Sequence, residues 1–125
     1  MGTRIMIETE GIGLEAELNE TETAQAVAAK LPITGEVNRW GEEIYFEVPV
    51  DRKLEPGARA EVEVGELGYW PTGRAFCVFF GRTPASTDEK PRAASAVTII
   101  GKCLDDARKL SSVPEGAAIA LKPKA

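Results

Sequence analysis

Arg4-Ile5-Met6-Ile7-Glu8-Thr9-Glu10-Gly11-Ile12-Gly13-Leu14-Glu15-Ala16-Glu17-Leu18 is the stretch that decides the fold class of this chain. Ile5 and Ile7 fall on one side of a period-two pattern, Met6 and Glu8 on the other. After Gly11-Ile12-Gly13 the pattern resumes, with Leu14, Ala16 and Leu18 opposite Glu15 and Glu17. Strict alternation is the signature of a strand with one buried face. Two such runs joined by a glycine-bearing turn predict a β-hairpin.

The same grammar continues along the chain, with one clear interruption. Asn19-Glu20-Thr21-Glu22-Thr23 opens a helix, in which Asn19 or Thr21 can accept the free amides and the glutamates suit the positive end of the dipole. Ala24, Val27, Ala28 and Leu31 recur at helical spacing, and Pro32 stops the run. Strands are then predicted over 33–39 and 42–50, with Ile44, Phe46 and Val48 on one face and Glu43, Tyr45 and Glu47 on the other. Pro56-Gly57 marks a turn in a charged loop, followed by short strands at 61–64 and 67–70 and a turn at 71–73. Residues 75–80 are nearly all apolar, as in a strand buried on both faces. Residues 81–96 form the longest irregular stretch, 97–103 a β-branched strand, 104–110 one or two helical turns, 117–121 a last strand and 122–125 a tail. The expectation is a mainly β chain, one domain over residues 1–125, with about eight antiparallel strands, one clear helix and one short one.

Composition narrows the function. With 43% hydrophobic and 28% charged residues the chain reads as globular. The net charge of −5 argues against a nucleic-acid partner, which usually meets a basic face. No apolar run approaches the ~20 residues that span a bilayer, and residues 1–6 lack a leader's apolar core, so the expected setting is cytoplasmic. There is no histidine. That removes Ser-His-Asp and Cys-His catalysis and histidine-based metal sites. Cys77 and Cys103 lie in apolar segments and read as reduced, buried thiols; without histidine they make no ordinary zinc site. No cofactor or metal is expected.

The order of elements, together with local strings, resembles a cyclophilin. Leu18-Asn19-Glu20-Thr21-Glu22-Thr23-Ala24 with Leu31-Pro32 is similar to the first helix of that fold, and Val37-Asn38-Arg39 to the Phe-His-Arg tripeptide that carries its catalytic arginine. Val64-Gly65-Glu66-Leu67-Gly68-Tyr69-Trp70 resembles the strand entering the site floor, and Val97-Thr98-Ile99-Ile100-Gly101-Lys102-Cys103-Leu104 the strand before the second helix. A nearer resemblance is to the small cyclophilin-like proteins of prokaryotes, carried by Asn38-Arg39-Trp40-Gly41-Glu42-Glu43-Ile44-Tyr45-Phe46-Glu47-Val48-Pro49, Tyr69-Trp70-Pro71, Phe79-Phe80-Gly81-Arg82-Thr83-Pro84-Ala85-Ser86 and Pro91-Arg92-Ala93-Ala94-Ser95. The resemblance implies a closed, antiparallel cyclophilin-like barrel. It puts Arg39 at the arginine position, Ile44 near that of the family's Phe and Glu47 near that of its Gln. The Gln-Gly-Gly-Asp string and the rim histidine of active cyclophilins are missing, and a carboxylate at Glu47 would pair with Arg39.

The candidate ligand-binding residues are Arg39, Tyr45, Glu47, Tyr69, Trp70, Phe76, Arg82, Thr83 and Arg92, with Arg39 the one catalytic candidate. Arg39 offers a donor fork for a carbonyl or carboxylate; its plainer reading is a surface arginine paired with Glu42, Glu43 or Glu47. Tyr45, Tyr69 and Trp70 suit an aromatic wall or ordinary packing. Phe76, Phe79 and Phe80 suit the core. Arg82, Thr83, Ser86, Arg92 and Ser95 suit either an anion pocket or a solvated loop. A single site requires Arg39, Tyr45, Tyr69 and the 82–92 loop to converge. The favoured function is binding of a small molecule or peptide segment. An atypical prolyl isomerase and a protein-interaction domain are the alternatives, and nothing in the sequence sets an oligomeric state.

Overall fold

The structure, a computed structural model, describes residues 2–124; the leader and tail readings at Met1 and Ala125 lie outside them. Strands β1 (Thr3–Thr9) and β2 (Ile12–Leu18) form the expected hairpin. Its turn is tighter than the sequence suggests. Thr9 pairs with Ile12, so Glu10 and Gly11 alone make the connection, at φ 50° and 74°. Two consecutive left-handed residues give a connection whose twist matches that of the flanking strands, and glycine adopts the second without strain.

Helix α1 (Glu22–Ala29) follows, with the Thr21 side chain accepting the Ala24 amide at its start. Asn19 sits one step earlier and accepts from both the amide and the hydroxyl of Thr21. The predicted strand 33–39 divides into β3 (Ile33–Glu36) and β4 (Asn38–Arg39). Val37 interrupts it by bonding through its amide to Ala117 and through its carbonyl to Gly116. Next come β5 (Glu43–Glu47), β6 (Arg59–Glu61), β7 (Glu66–Trp70), a 3-10 turn at Pro71–Gly73 and β8 (Ala75–Phe79). β9 (Arg92–Cys103) begins five residues before the predicted strand start at 97, which shortens the irregular stretch. The second helix is a 3-10 segment, Ala107–Ser112, capped by Asp106. β10 (Ala118–Pro123) takes Lys122 and Pro123 from the predicted tail.

All pairings are antiparallel, in the order β3-β10-β1-β2-β9-β7-β8-β5-β4, with β6 on β9. Among the described residues ten strands therefore stand where about eight were expected. The hydrogen-bonded path begins at β3 and ends at β4, and among the described residues no ladder joins those ends. β3 instead comes close to β5, the strand next to the other end: a Cβ on Gly35 would stand 3.1 Å from the Phe46 ring.

The length of β9 creates two apolar layers. Its C-terminal part pairs with β7 and β2 in the main sheet, while its N-terminal part pairs with β6 and lies over the outer face of β7–β8. A bulge at Ile100 marks the change: Leu67 faces Gly101 but Gly68 faces Ile99. Asn19 takes up the carbonyls of Ile99 and Ile100 there. β8 is consequently buried on both faces, as its composition predicts. Phe76 and Val78 enter the main core with Ile5, Ile7, Leu14, Phe46 and Leu121. Ala75, Cys77 and Phe79 enter a second layer with Val62, Ala93 and Val97.

Candidate functional site

The second layer leaves a cavity of about 160 Å³, partly open to solvent, lined by Trp40, Glu43, Tyr45, Trp70, Cys77, Ala93, Ala94 and Val97. Its position follows from the alternation of β5. Ile44 and Phe46 face the main core, so Glu43 and Tyr45 face the other way, under the flap formed by the start of β9. Tyr45 stands directly across from Cys77 and Glu43 across from Phe79. Tyr45 and Trp70 meet edge to face, with ring centroids 6.1 Å apart. The Trp70 indole N–H donates to Ser95 Oγ at 2.7 Å and ties this wall to the flap.

Glu43 is the unexpected member. It is only 5% exposed, and its Oε1 is buried without a hydrogen-bond partner. Burial pushes its carboxyl up to about 7, and the neighbouring Cys77 thiol offsets only part of the rise. Burial first, and then the adjacent Glu43, push the Cys77 thiol well above its ordinary range. A thiol held protonated is a poor nucleophile. The cavity therefore combines aromatic walls with one buried carboxyl that titrates near neutrality, and no lysine or arginine is among its lining residues.

Of the residues expected from the sequence, Tyr45 and Trp70 come together in this cavity. The others do not join them. Arg39 is no open donor fork: its guanidinium donates to the carbonyls of Gly41, Ser111 and Val113 and to Glu42, and it lies 5.2 Å from the Phe80 ring centroid. It fastens the β4–β5 turn to the 3-10 segment. Glu47 does not neutralise it; Glu47 is exposed, 3.6 Å from Arg74. Tyr69 is fully buried, donating its hydroxyl to Val50 O at 2.5 Å and accepting from the Arg52 amide. Phe76 is fully buried in the main core, 5.5 Å from the Phe46 ring.

The 82–92 loop is tied down by its own polar groups rather than arranged around an anion. Thr83 Oγ1 donates to the Arg92 carbonyl, and Ser86 Oγ accepts the Thr83 amide while donating to Lys90 O. Arg82 is exposed and Arg92 half-buried. This loop presses on the turn that carries Trp40. Gly41 has φ 61°, and a Cβ there would lie 2.9 Å from Arg82 O and from Thr83 Cα. Among the residues that sequence reasoning missed, Trp40, Glu43 and Cys77 share one available signal. A strand apolar on both faces at 75–80 demands a second layer, and the strand beside it must then send its own second face, Glu43 and Tyr45, into that layer.

Comparison with known proteins places this geometry in a family. Residues 3–122 match the family model described as cyclophilin-like. The solution structure of a hypothetical protein from Archaeoglobus fulgidus is similar at 39% identity and a TM-score of 0.82, covering 98% of this chain and 95% of that one. A comparison with curated proteins yields no match. With almost its whole length matched by the family model, this chain belongs to the cyclophilin-like family.

Proposed function

We propose that this protein is a binding module that takes a small ligand in the cavity between β5, β8 and the β9 flap, and performs no chemistry on it. The observation that carries the reading is Glu43, whose buried Oε1 has no hydrogen-bond partner, in the lining of an aromatic-walled cavity of about 160 Å³. An unsatisfied polar atom in such a place costs stability, which is expected where an exogenous partner completes it. The volume is close to that of an engineered apolar cavity of roughly 150 Å³ that binds benzene, so the occupant is a ring-sized group, either free or at the end of a peptide side chain.

Barrel closure belongs to the same proposal: packing of Gly35 against Phe46 supports a barrel sealed by side chains where the ladder stops. What weighs against prolyl isomerisation is the use of Arg39 as a fastener, since its donors already meet main-chain carbonyls and Glu42. Among the described residues no helix is long and apolar enough to cross a membrane. Two unpaired cysteines, one of them buried, support a reducing and hence cytoplasmic setting.

The test is a fragment screen read by the indole N–H resonances of Trp40 and Trp70. Saturable shifts at both, abolished by Ala93→Trp, which fills the cavity, are the expected result. A screen of ring-sized fragments that moves neither resonance removes the proposal.

A further inference from the structure

The chemistry of the cavity restricts what fills it. Its ionisable groups are Glu43 and Tyr45 from β5 and Cys77 from β8; the flap contributes Ala93, Ala94 and Val97, and Trp40 and Trp70 contribute rings. A carboxyl surrounded by such groups has no internal cation to meet. The faces of Trp and Tyr rings carry negative quadrupole density, which favours a cation over a neutral group of the same shape. The chain's net charge of −5 adds a weak long-range attraction of the same sign.

Resting on the binding-pocket reading above, we infer that the cavity selects a small alkylammonium ion that keeps at least one N–H, with Glu43 as counter-ion and Trp40, Tyr45 and Trp70 as walls. The N–H meets the Glu43 carboxylate, which lines the cavity and has an oxygen without a hydrogen-bond partner, and the alkyl groups lie on the rings. A charge-assisted bond of this kind is stronger than a neutral one, and a ring cage desolvates the alkyl surface. The ligand is a free amine of this type or an alkylated lysine head group. Size supports the choice, since a trimethylammonium ion has about the bulk of the benzene that fills a comparable cavity.

Three probes separate the contributions. Trimethylammonium carries charge and one N–H. Tetramethylammonium keeps the charge and loses the donor. tert-Butanol keeps the three methyl groups and a donor and loses the charge. Binding is followed by the Trp40 and Trp70 indole resonances at pH 8, where the Glu43 carboxyl is mostly ionised. Trimethylammonium is expected to bind at least tenfold more tightly than tert-butanol, with tetramethylammonium between them. Glu43→Gln should lower trimethylammonium affinity at least tenfold and change tert-butanol affinity less than threefold, and its retained tert-butanol binding shows that the variant is folded. In wild type, trimethylammonium affinity should fall about tenfold from pH 8 to pH 6 as the carboxyl protonates.

Equal or tighter binding of tert-butanol in wild type overturns the inference and leaves the pocket reading standing. Tightest binding of tetramethylammonium overturns the N–H contact to Glu43. If none of the probes shifts either indole, and the neutral fragments also fail, both readings fall together. The wild-type comparison decides the matter whatever the behaviour of the variant.

Discussion

The two faces of β8 obey different rules. On one, Phe76 and Val78 interlock with Phe46, Leu67 and Ile100 in a core from which water is excluded. On the other, Ala75, Cys77 and Phe79 meet a layer that is thinner, includes half-buried Tyr45 and Trp70, and leaves a cavity beside a buried carboxyl. A chain that packs one side to interior density and leaves a hole with an unsatisfied oxygen on the other is spending stability locally. Among the described residues Glu43 Oε1 is one of two buried side-chain atoms without a hydrogen-bond partner, the other being Arg52 Nε, and such exceptions cluster at sites that bind something. The same difference separates Arg39 from the buried carboxyl. Arg39 sits at the edge of the first system, where it holds main chain together, and the unsatisfied group lies in the second.

The comparison is broken most directly by truncating both faces of the same strand. Phe76→Ala removes a fully buried ring from the main core and is expected to cost about 3–5 kcal/mol, the usual loss for a core aromatic. Cys77→Ala, one residue on, removes a sulfur that already borders empty space and should cost roughly 1 kcal/mol or less. Urea denaturation of the two variants measures both. Equal costs would mean that the second layer is packed as tightly as the first.

Next in size is Glu43→Gln. Folding raises the carboxyl from its ordinary 4.5 to about 7, so between those values the folded chain binds more protons than the unfolded one. Stability must then fall as pH rises through that window. Wild type and Glu43→Gln should therefore have similar Tm near pH 4.5. At pH 8 the glutamine variant should be the more stable by roughly 3 kcal/mol, a little less than the full rise from 4.5 to about 7 at about 1.4 kcal/mol per pH unit. A difference that does not grow with pH would place the cost of the site in its shape and not in its charge.

Much of this division is legible in the chain, and the illegible part has a physical cause. The hairpin, α1 and the double burial of β8 follow from periodicity, because one-sided strands and amphipathic helices print their exposure pattern directly. The start of β9 does not: Arg92-Ala93-Ala94-Ser95-Ala96 is small and mixed, and it becomes strand only by pairing with β6, a long-range event. The site suffers from the same blindness. Glu43 reads as one of three polar-face residues, and only the flap over it, absent from any local pattern, turns an exposed glutamate into a buried one. Arg39 shows the converse. Its residue type suggests a ligand fork, but two of the three carbonyls it serves belong to a segment more than seventy positions away.

That assignment gives a smaller effect. Arg39→Ala leaves the Ser111 and Val113 carbonyls without their donor and should cost about 1–2 kcal/mol, less than a buried network because the guanidinium is partly exposed. Amide exchange should accelerate across 107–113, while fragment binding at the Trp40 and Trp70 indoles stays as in wild type. Loss of binding together with unchanged exchange would return Arg39 to the site.

The smallest expected change probes the seam between wall and flap. Ser95→Ala removes the acceptor of the Trp70 indole N–H. Both residues reach solvent, so water replaces the lost bond and stability should change by less than about 1 kcal/mol. The consequence lies in the ring. Freed from Ser95, Trp70 keeps its edge contact with Tyr45, its packing against Gly73 and its place in the second layer but loses its polar anchor, so its indole resonance should broaden or shift while that of Trp40 stays in place. Ligand affinity should fall severalfold, because the wall must then be ordered upon binding. A variant with wild-type affinity and an unmoved Trp70 resonance would show that β5 and β8 alone hold the wall, and that the flap serves the second layer only as a cover.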